Sequence, residues 1–175
     1  MITVETGTNE LLCHIEDRVA TLTLNKPNKK NALGDILTPA LRRMLAVLEH
    51  DQRVGCILLT GAGNAFCSGG DISGMGGPAG QPMTTAERVA DLTHKQVTLT
   101  QRLFELDKLT IAALPGAAAG AGLSIALACD LRVAAESAFM VTAFANIGLS
   151  GDYGGTWFLP RLIGLAKAKE LYYTA

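Results

Sequence analysis

The stretch Gly120-Ala121-Gly122-Leu123-Ser124-Ile125-Ala126-Leu127-Ala128-Cys129 carries no charge and, Ser124 apart, no polar side chain. Its length and lack of proline suit a helix, but a helix that is apolar all round cannot lie at a water-facing surface. It must be walled in by other elements, so the fold has to place a helix inside the molecule. Short strand-like runs recur along the chain and supply the walls. Leu11 to Ile15 and Val19 to Leu24, parted by Glu16-Asp17-Arg18, read as a hairpin. Val54 to Thr60, Thr110 to Leu114, Leu131 to Ala135 and Phe139 to Val141 read as further strands. Helices are predicted from about Leu37 to His50, with Leu41, Leu45 and Leu48 on one face, from Ala86 to Leu106, and from Leu159 to Tyr173. Strands alternate with helices and no internal repeat interrupts them. The fold class is therefore α/β, and residues 1–175 form a single domain.

Composition narrows the partners. Hydrophobic residues make up 49% and charged residues 18% of the chain, enough apolar matter for a real core. A formal net charge of −1 argues against a nucleic-acid surface or an anionic-membrane binder. An anionic ligand has to be met by a local cluster instead. Cys13, Cys56, Cys67 and Cys129 are far apart, without CxxC spacing, and read as buried free thiols. The start Met1-Ile2-Thr3-Val4-Glu5 lacks the pattern of a signal peptide, and the expectation is a cytoplasmic protein with no metal.

Two glycine-rich segments carry the chemistry. In Asn64-Ala65-Phe66-Cys67-Ser68-Gly69-Gly70-Asp71 a strand feeds a glycine pair, where backbone N–H groups can face a ligand unobstructed. Pro115-Gly116-Ala117-Ala118-Ala119-Gly120-Ala121-Gly122 opens the buried helix, whose first N–H groups have no partner within the helix. Two donors converging on one oxygen make an oxyanion hole. Tight packing is the competing account of either segment alone.

Asn31-Ala32-Leu33, Ala65-Phe66-Cys67-Ser68-Gly69-Gly70-Asp71, Gly120-Ala121-Gly122 before Ala128-Cys129-Asp130, and Gly154-Gly155-Thr156 before Leu159-Pro160-Arg161-Leu162-Ile163-Gly164 follow one another in that order. This ordered set resembles the crotonase (enoyl-CoA hydratase/isomerase) superfamily from about Leu11 to the last residue. The resemblance implies a spiral of ββα units, assembly as homotrimers or hexamers, and an acyl-CoA thioester as substrate. Coenzyme A would be part of that substrate and no separate cofactor is implied. Carried over by position, the amides of Gly70 and Ala121 form the oxyanion hole. The loop Ser68, Gly69, Asp71 and Ile72, with Gly120, lines the thioester site. Lys26, Lys29 and Lys30 are the candidates for the CoA phosphates, although a solvated charge run explains such lysines as well. Asp71 is also expected to hold the glycine loop.

The departures from the family pattern decide the chemistry. Hydratases of the family use two glutamates, at positions that fall here on Ser124 and Phe144, which instead become candidate substrate contacts. A serine and a phenylalanine cannot activate a water for addition. Asp152, eight residues after Phe144, resembles the aspartate of the branch containing ring-opening epoxyphenylacetyl-CoA isomerases and enoyl-CoA isomerases. 4-Chlorobenzoyl-CoA dehalogenases also place an aspartate there, but a tryptophan at Phe144 and a histidine near Val97 would then be needed. A lone carboxylate in an apolar pocket can move one proton between two carbons of an enolate, which is what double-bond isomerisation requires. The rival accounts are an enoyl-CoA hydratase with an atypical mechanism and a catalytically inactive acyl-CoA-binding or assembly module. The plain role for Asp152 is a turn or capping aspartate. His14, His50 and His94 have no partnered carboxylate at a recognisable spacing; Asp130 is expected to order the following strand, and Trp157 and Phe158 to pack in the core. Family members continue beyond the position of Ala175, and the helices that follow in them, for trimer contacts and CoA cover, are not expected within these residues.

Overall fold

The computed structural model describes residues 1–71 and 83–175. Its larger sheet has six strands: β1 (Ile2–Thr3), β2 (Leu11–Glu16), β3 (Val19–Leu24), β4 (Cys56–Gly61), β6 (Leu109–Leu114) and β8 (Leu131–Ala134), in the order β1-β2-β3-β4-β6-β8. A smaller parallel sheet holds β5 (Ala65–Cys67), β7 (Ala117–Ala119) and β9 (Met140–Val141). The hairpin of β2 and β3 turns at Asp17 and Arg18, whose φ angles of 47° and 65° match a two-residue turn twisted like the strands it joins. From β3 onward the large sheet is parallel, through β4 and β6 to β8.

Parallel neighbours require crossovers, and here each one makes a turn of a spiral. The chain leaves β4 for β5, then helix α2 (Thr85–Gln96); it leaves β6 for β7, then α4 (Ala121–Ala128); it leaves β8 for β9, then α5 (Gly155–Ile163). After β3 the short bridge between Leu33 and Gly70 takes the place of the second strand, and α1 (Leu37–His50) follows. This is the ββα spiral. Its core lies between the large sheet and the helices: Leu11, Leu22, Leu24, Ile57 and Leu59 from the strands meet Leu37, Leu41, Leu45 and Leu48 of α1. All eight residues of α4 are buried, as an apolar helix demands.

Two helices differ from the periodicity. The segment expected as one helix over Ala86–Leu106 has a single π turn at Val97–Gln101 before the short α3 (Arg102–Glu105). There the Thr98 hydroxyl donates to the His94 carbonyl at 2.6 Å, and Leu99 and Thr100 turn inward. The final helix is two: α5 begins four residues earlier than predicted and ends at Gly164, φ 82° and ψ 157°, before α6 (Leu165–Tyr173). Only the absence of a Cβ makes that break inexpensive. Asp130, expected to order the strand that follows it, instead bonds to β6, its Oδ2 accepting from both the amide and the hydroxyl of Thr110 at 2.8 Å. Trp157 is not a core residue. It is 42% exposed, stacked under the Arg161 guanidinium at 3.7 Å, and only Phe158 beside it is buried. No helix among the described residues is long and apolar enough to cross a membrane.

Candidate functional site

The site is assembled where β5 and β7 end. Asn31, fully buried, ties the loop after β3 to the turn after β4: its side-chain amide donates to the carbonyls of Ala62 and Ala65 at 3.0 and 2.8 Å, and its Oδ1 accepts from the Lys26 amide. That pins the Asn31-Ala32-Leu33 segment beside the glycine loop. Leu33 then donates to the Gly69 carbonyl and accepts from the Asp71 amide, each at 2.7 Å. Those bonds bracket Gly70 and leave its own N–H out of the pairing. Gly69, at φ 97°, takes a conformation open to glycine, and an added Cβ there would sit 3.0 Å from the Ala119 carbonyl and 3.5 Å from the Ala121 amide. The glycine loop and the first turn of α4 are thus in contact.

Gly122 explains the closeness. A Cβ on it would lie 2.3 Å from the Cys67 carbonyl oxygen, so only glycine lets α4 approach β5 this far. Ala121 opens the helix, and its N–H is one of the donors that the helix itself cannot satisfy. Next to both amides lies a cavity of about 590 Å³, walled by Ser68–Asp71, by Gly120 and Ala121, and by the segment from Ala143 to Asp152. A second chamber of about 340 Å³ meets it along Gly70, Asp71, Ala121 and Asp152 and reaches Arg42 of α1 and Tyr153.

Asp152 closes the side opposite the glycine loop. Its Oδ1 is buried with no hydrogen-bond partner among the described residues. Burial raises its carboxyl above the ordinary carboxylate range. The carboxyl is therefore a stronger base than a solvated one when ionised, and holds a proton more readily once it has one. Burial first, and the Asp152 charge second, push the hydroxyl of Tyr172 up to about 12. Tyr153 is likewise pushed up to about 12, burial again leading and Asp152 next. Both phenols remain protonated at neutral pH.

Ser124 does not reach the cavity wall. Its hydroxyl is buried and lies within bonding distance of the Gly120 carbonyl (3.3 Å) and the Asp152 main-chain carbonyl (3.1 Å), so it braces the acid loop on α4. Phe144 is buried beside the cavity, faces Gly120 and stacks on Tyr172 with 6.5 Å between ring centres. Lys29 lines the cavity mouth, while Lys26 stands behind it. Both reach Asp71 Oδ2, at 2.9 and 3.2 Å, so the aspartate ties the basic loop to the glycine loop. Ser68 is bound through its amide to the Lys30 carbonyl and through its hydroxyl to that of Lys29. Ile72 lies outside the described residues. His14, His50 and His94 line neither chamber. Among the described residues no group of His, Cys, Asp or Glu is placed to hold a metal.

Sequence reasoning missed Arg42 and Tyr153. Arg42 has a faint signal: it falls four residues after the buried Thr38, at the edge of the helix's inward face. Tyr153 has none, because its position depends on a φ of 50° that only the folded loop imposes.

The profile of the enoyl-CoA hydratase/isomerase family matches residues 14–175. The chain is 42% identical over 165 residues to a 1,2-epoxyphenylacetyl-CoA isomerase of Escherichia coli, a match covering 92% of this chain and 61% of that protein. Its structure resembles a crystal structure of an enoyl-CoA hydratase from Bacillus anthracis, with a TM-score of 0.84 and 32% identity over 95% of this chain and 63% of that one. The chain thus spans about 61% and 63% of the lengths of these relatives.

Proposed function

This chain belongs to the enoyl-CoA hydratase/isomerase family, and on that premise we propose that it moves the double bond of an enoyl-CoA thioester, with Asp152 as the proton shuttle. The observation that carries the reading is the Asp152 carboxyl, half-buried with its Oδ1 shielded and without a hydrogen-bond partner among the described residues, in the wall of a cavity that Gly70 and Ala121 also line. The thioester oxygen accepts from those two amides. The ionised carboxylate takes a proton from the α-carbon of a 3-enoyl thioester, and the charge spreads into a dienolate whose oxygen the amides stabilise. The carboxyl, once it has taken that proton, returns it to the γ-carbon, leaving a 2-enoyl thioester. No water enters the balance. That suits a site with Ser124 and Phe144 where an added water would need a second carboxylate.

Lys29 at the mouth suits the phosphates of coenzyme A, with Lys26 acting through Asp71. Assembly into trimers or hexamers belongs to the same proposal, supported by the exposed Leu131, Val133, Phe139 and Met140 and checked by sedimentation. A reducing, cytoplasmic setting also belongs to it, supported by four unpaired thiols.

The test offers 3-enoyl-CoA and 2-enoyl-CoA in parallel and follows bond migration against water addition. Migration without hydration is the expected result. Hydration of 2-enoyl-CoA by the same site would make the chain a hydratase of unusual mechanism. Binding without turnover of either would make it a binding module.

A further inference from the structure

We infer that the smaller chamber receives an acyl group ending in a carboxylate, with Arg42 as its counter-charge. This rests on the acyl-CoA reading above and adds the substrate class to it. Arg42 stands on α1 and lines the chamber of about 340 Å³ that meets the thioester cavity along Gly70, Ala121 and Asp152. Its Nη1 is buried, and the guanidinium has neither a hydrogen bond nor a salt bridge among the described residues. The residue is partly exposed, but a guanidinium nitrogen shielded from water without a partner is costly, and such groups are normally paired. Its sequence neighbour Arg43 shows the ordinary alternative, exposed and reaching the Thr6 carbonyl at 3.5 Å.

The nearby acids do not supply the missing anion. Asp71 holds Lys26 and Lys29, and Asp91 is paired with Lys95 at 2.6 Å. Asp35, at the chamber rim, is exposed, and Asp152 makes no salt bridge with Arg42. Tyr153 lines the same wall, and its hydroxyl makes no hydrogen bond among the described residues, adding a neutral O–H donor beside the cation. A planar guanidinium and a phenol are donors that a carboxylate can satisfy together. At about 30 Å³ for each water-sized group, the chamber has room for roughly ten such groups, a short acyl arm and not a long chain. An acyl group whose thioester oxygen rests on the Gly70 and Ala121 amides can extend past Asp152 into this chamber. A methyl-ended chain there would leave both donors unpaired, the situation in which a polar site discriminates most strongly.

The test is calorimetric titration of the full chain with two saturated thioesters of equal length, glutaryl-CoA and pentanoyl-CoA. Wild-type protein is expected to bind glutaryl-CoA at least about tenfold more tightly. Arg42→Met should bring the ratio of the two affinities to about one, and Arg42→Lys, which keeps charge but loses the planar fork, should leave it in between. A wild-type ratio at or below one, or an unchanged ratio in Arg42→Met, overturns the inference. Should Arg42→Met fail to fold by its melting curve, an unchanged ratio in Arg42→Lys overturns it equally. If both thioesters bind alike, the coenzyme A reading stands and only the carboxylate pocket falls. If neither binds, the coenzyme A reading itself fails and takes this inference with it.

Discussion

The two sides of the cavity are built by different means. On the amide side, Ser68–Asp71 and the start of α4 are placed by main-chain bonds and by the contact of Gly122 with Cys67, and the groups offered are backbone N–H. On the acid side, the segment from Ala143 to Gly154 passes through positive φ at Ala143, Gly148, Gly151, Tyr153 and Gly154, and what it offers is side chains. The amide side is tied into the core and indifferent to side-chain identity wherever glycine is not required. The acid side is a loop whose irregular path aims one carboxyl, and on the proposed reading a change of side chain there changes the chemistry. On the proposed reading, stabilisation of the enolate and choice of reaction are thus separable features of one site.

If that division is right, the largest effect comes from the amide side. Gly122→Val forces a side chain into the Cys67 carbonyl and should cost about 3 kcal/mol in urea denaturation, with loss of thioester binding. Gly148→Ala, at φ 71° with open space around it, should cost only about 1 kcal/mol. Equal costs would break the comparison.

Asp152→Asn should do the opposite of a core lesion and stabilise the protein by about 1 kcal/mol at pH 7, a melting-point rise of about 2–4 °C. The sign follows from the raised carboxyl. Its folded-state affinity for protons exceeds that of the unfolded chain, so its contribution is fully present below the ordinary value of 3.8 and is lost as pH rises through the raised one. The gain from asparagine should therefore vanish near pH 3 and grow towards neutrality, read by melting curves of both proteins across that range. Ser124→Ala removes the brace on the Asp152 carbonyl. It should lower stability by about 1 kcal/mol and turnover by about tenfold while affinity for the thioester holds. Lys29→Gln, at the rim, should weaken thioester binding by only about two- to fivefold, and less at high salt.

Much of this architecture can be read from the chain. The apolar run 120–129 demanded a buried helix, Leu41, Leu45 and Leu48 marked the inner face of α1, and the glycine pair after β5 marked a loop that lines the cavity. Local pattern failed where tertiary contacts decide. Trp157 is apolar by type, yet it meets the exposed Phe104 edge-on and lies under Arg161. Gly164 breaks a helix that periodicity would carry through. Arg42 and Arg43 look alike on paper. Only the folded chamber that Arg42 shares with Tyr153 shields the Nη1 of one, while the other is exposed. The irregular φ values that aim Asp152 have no periodic signature at all.

The most direct test of the central claim is deuterium uptake from D₂O into the α- and γ-carbons of a saturating enoyl-CoA, comparing wild-type protein with Asp152→Asn. Exchange at both carbons by the wild type, slowed by about 10²–10⁴-fold in the variant while the dissociation constant stays within about threefold, is the predicted result. Exchange that persists undiminished in Asp152→Asn would contradict it, and would leave Asp152 as a turn residue beside a site whose base lies elsewhere.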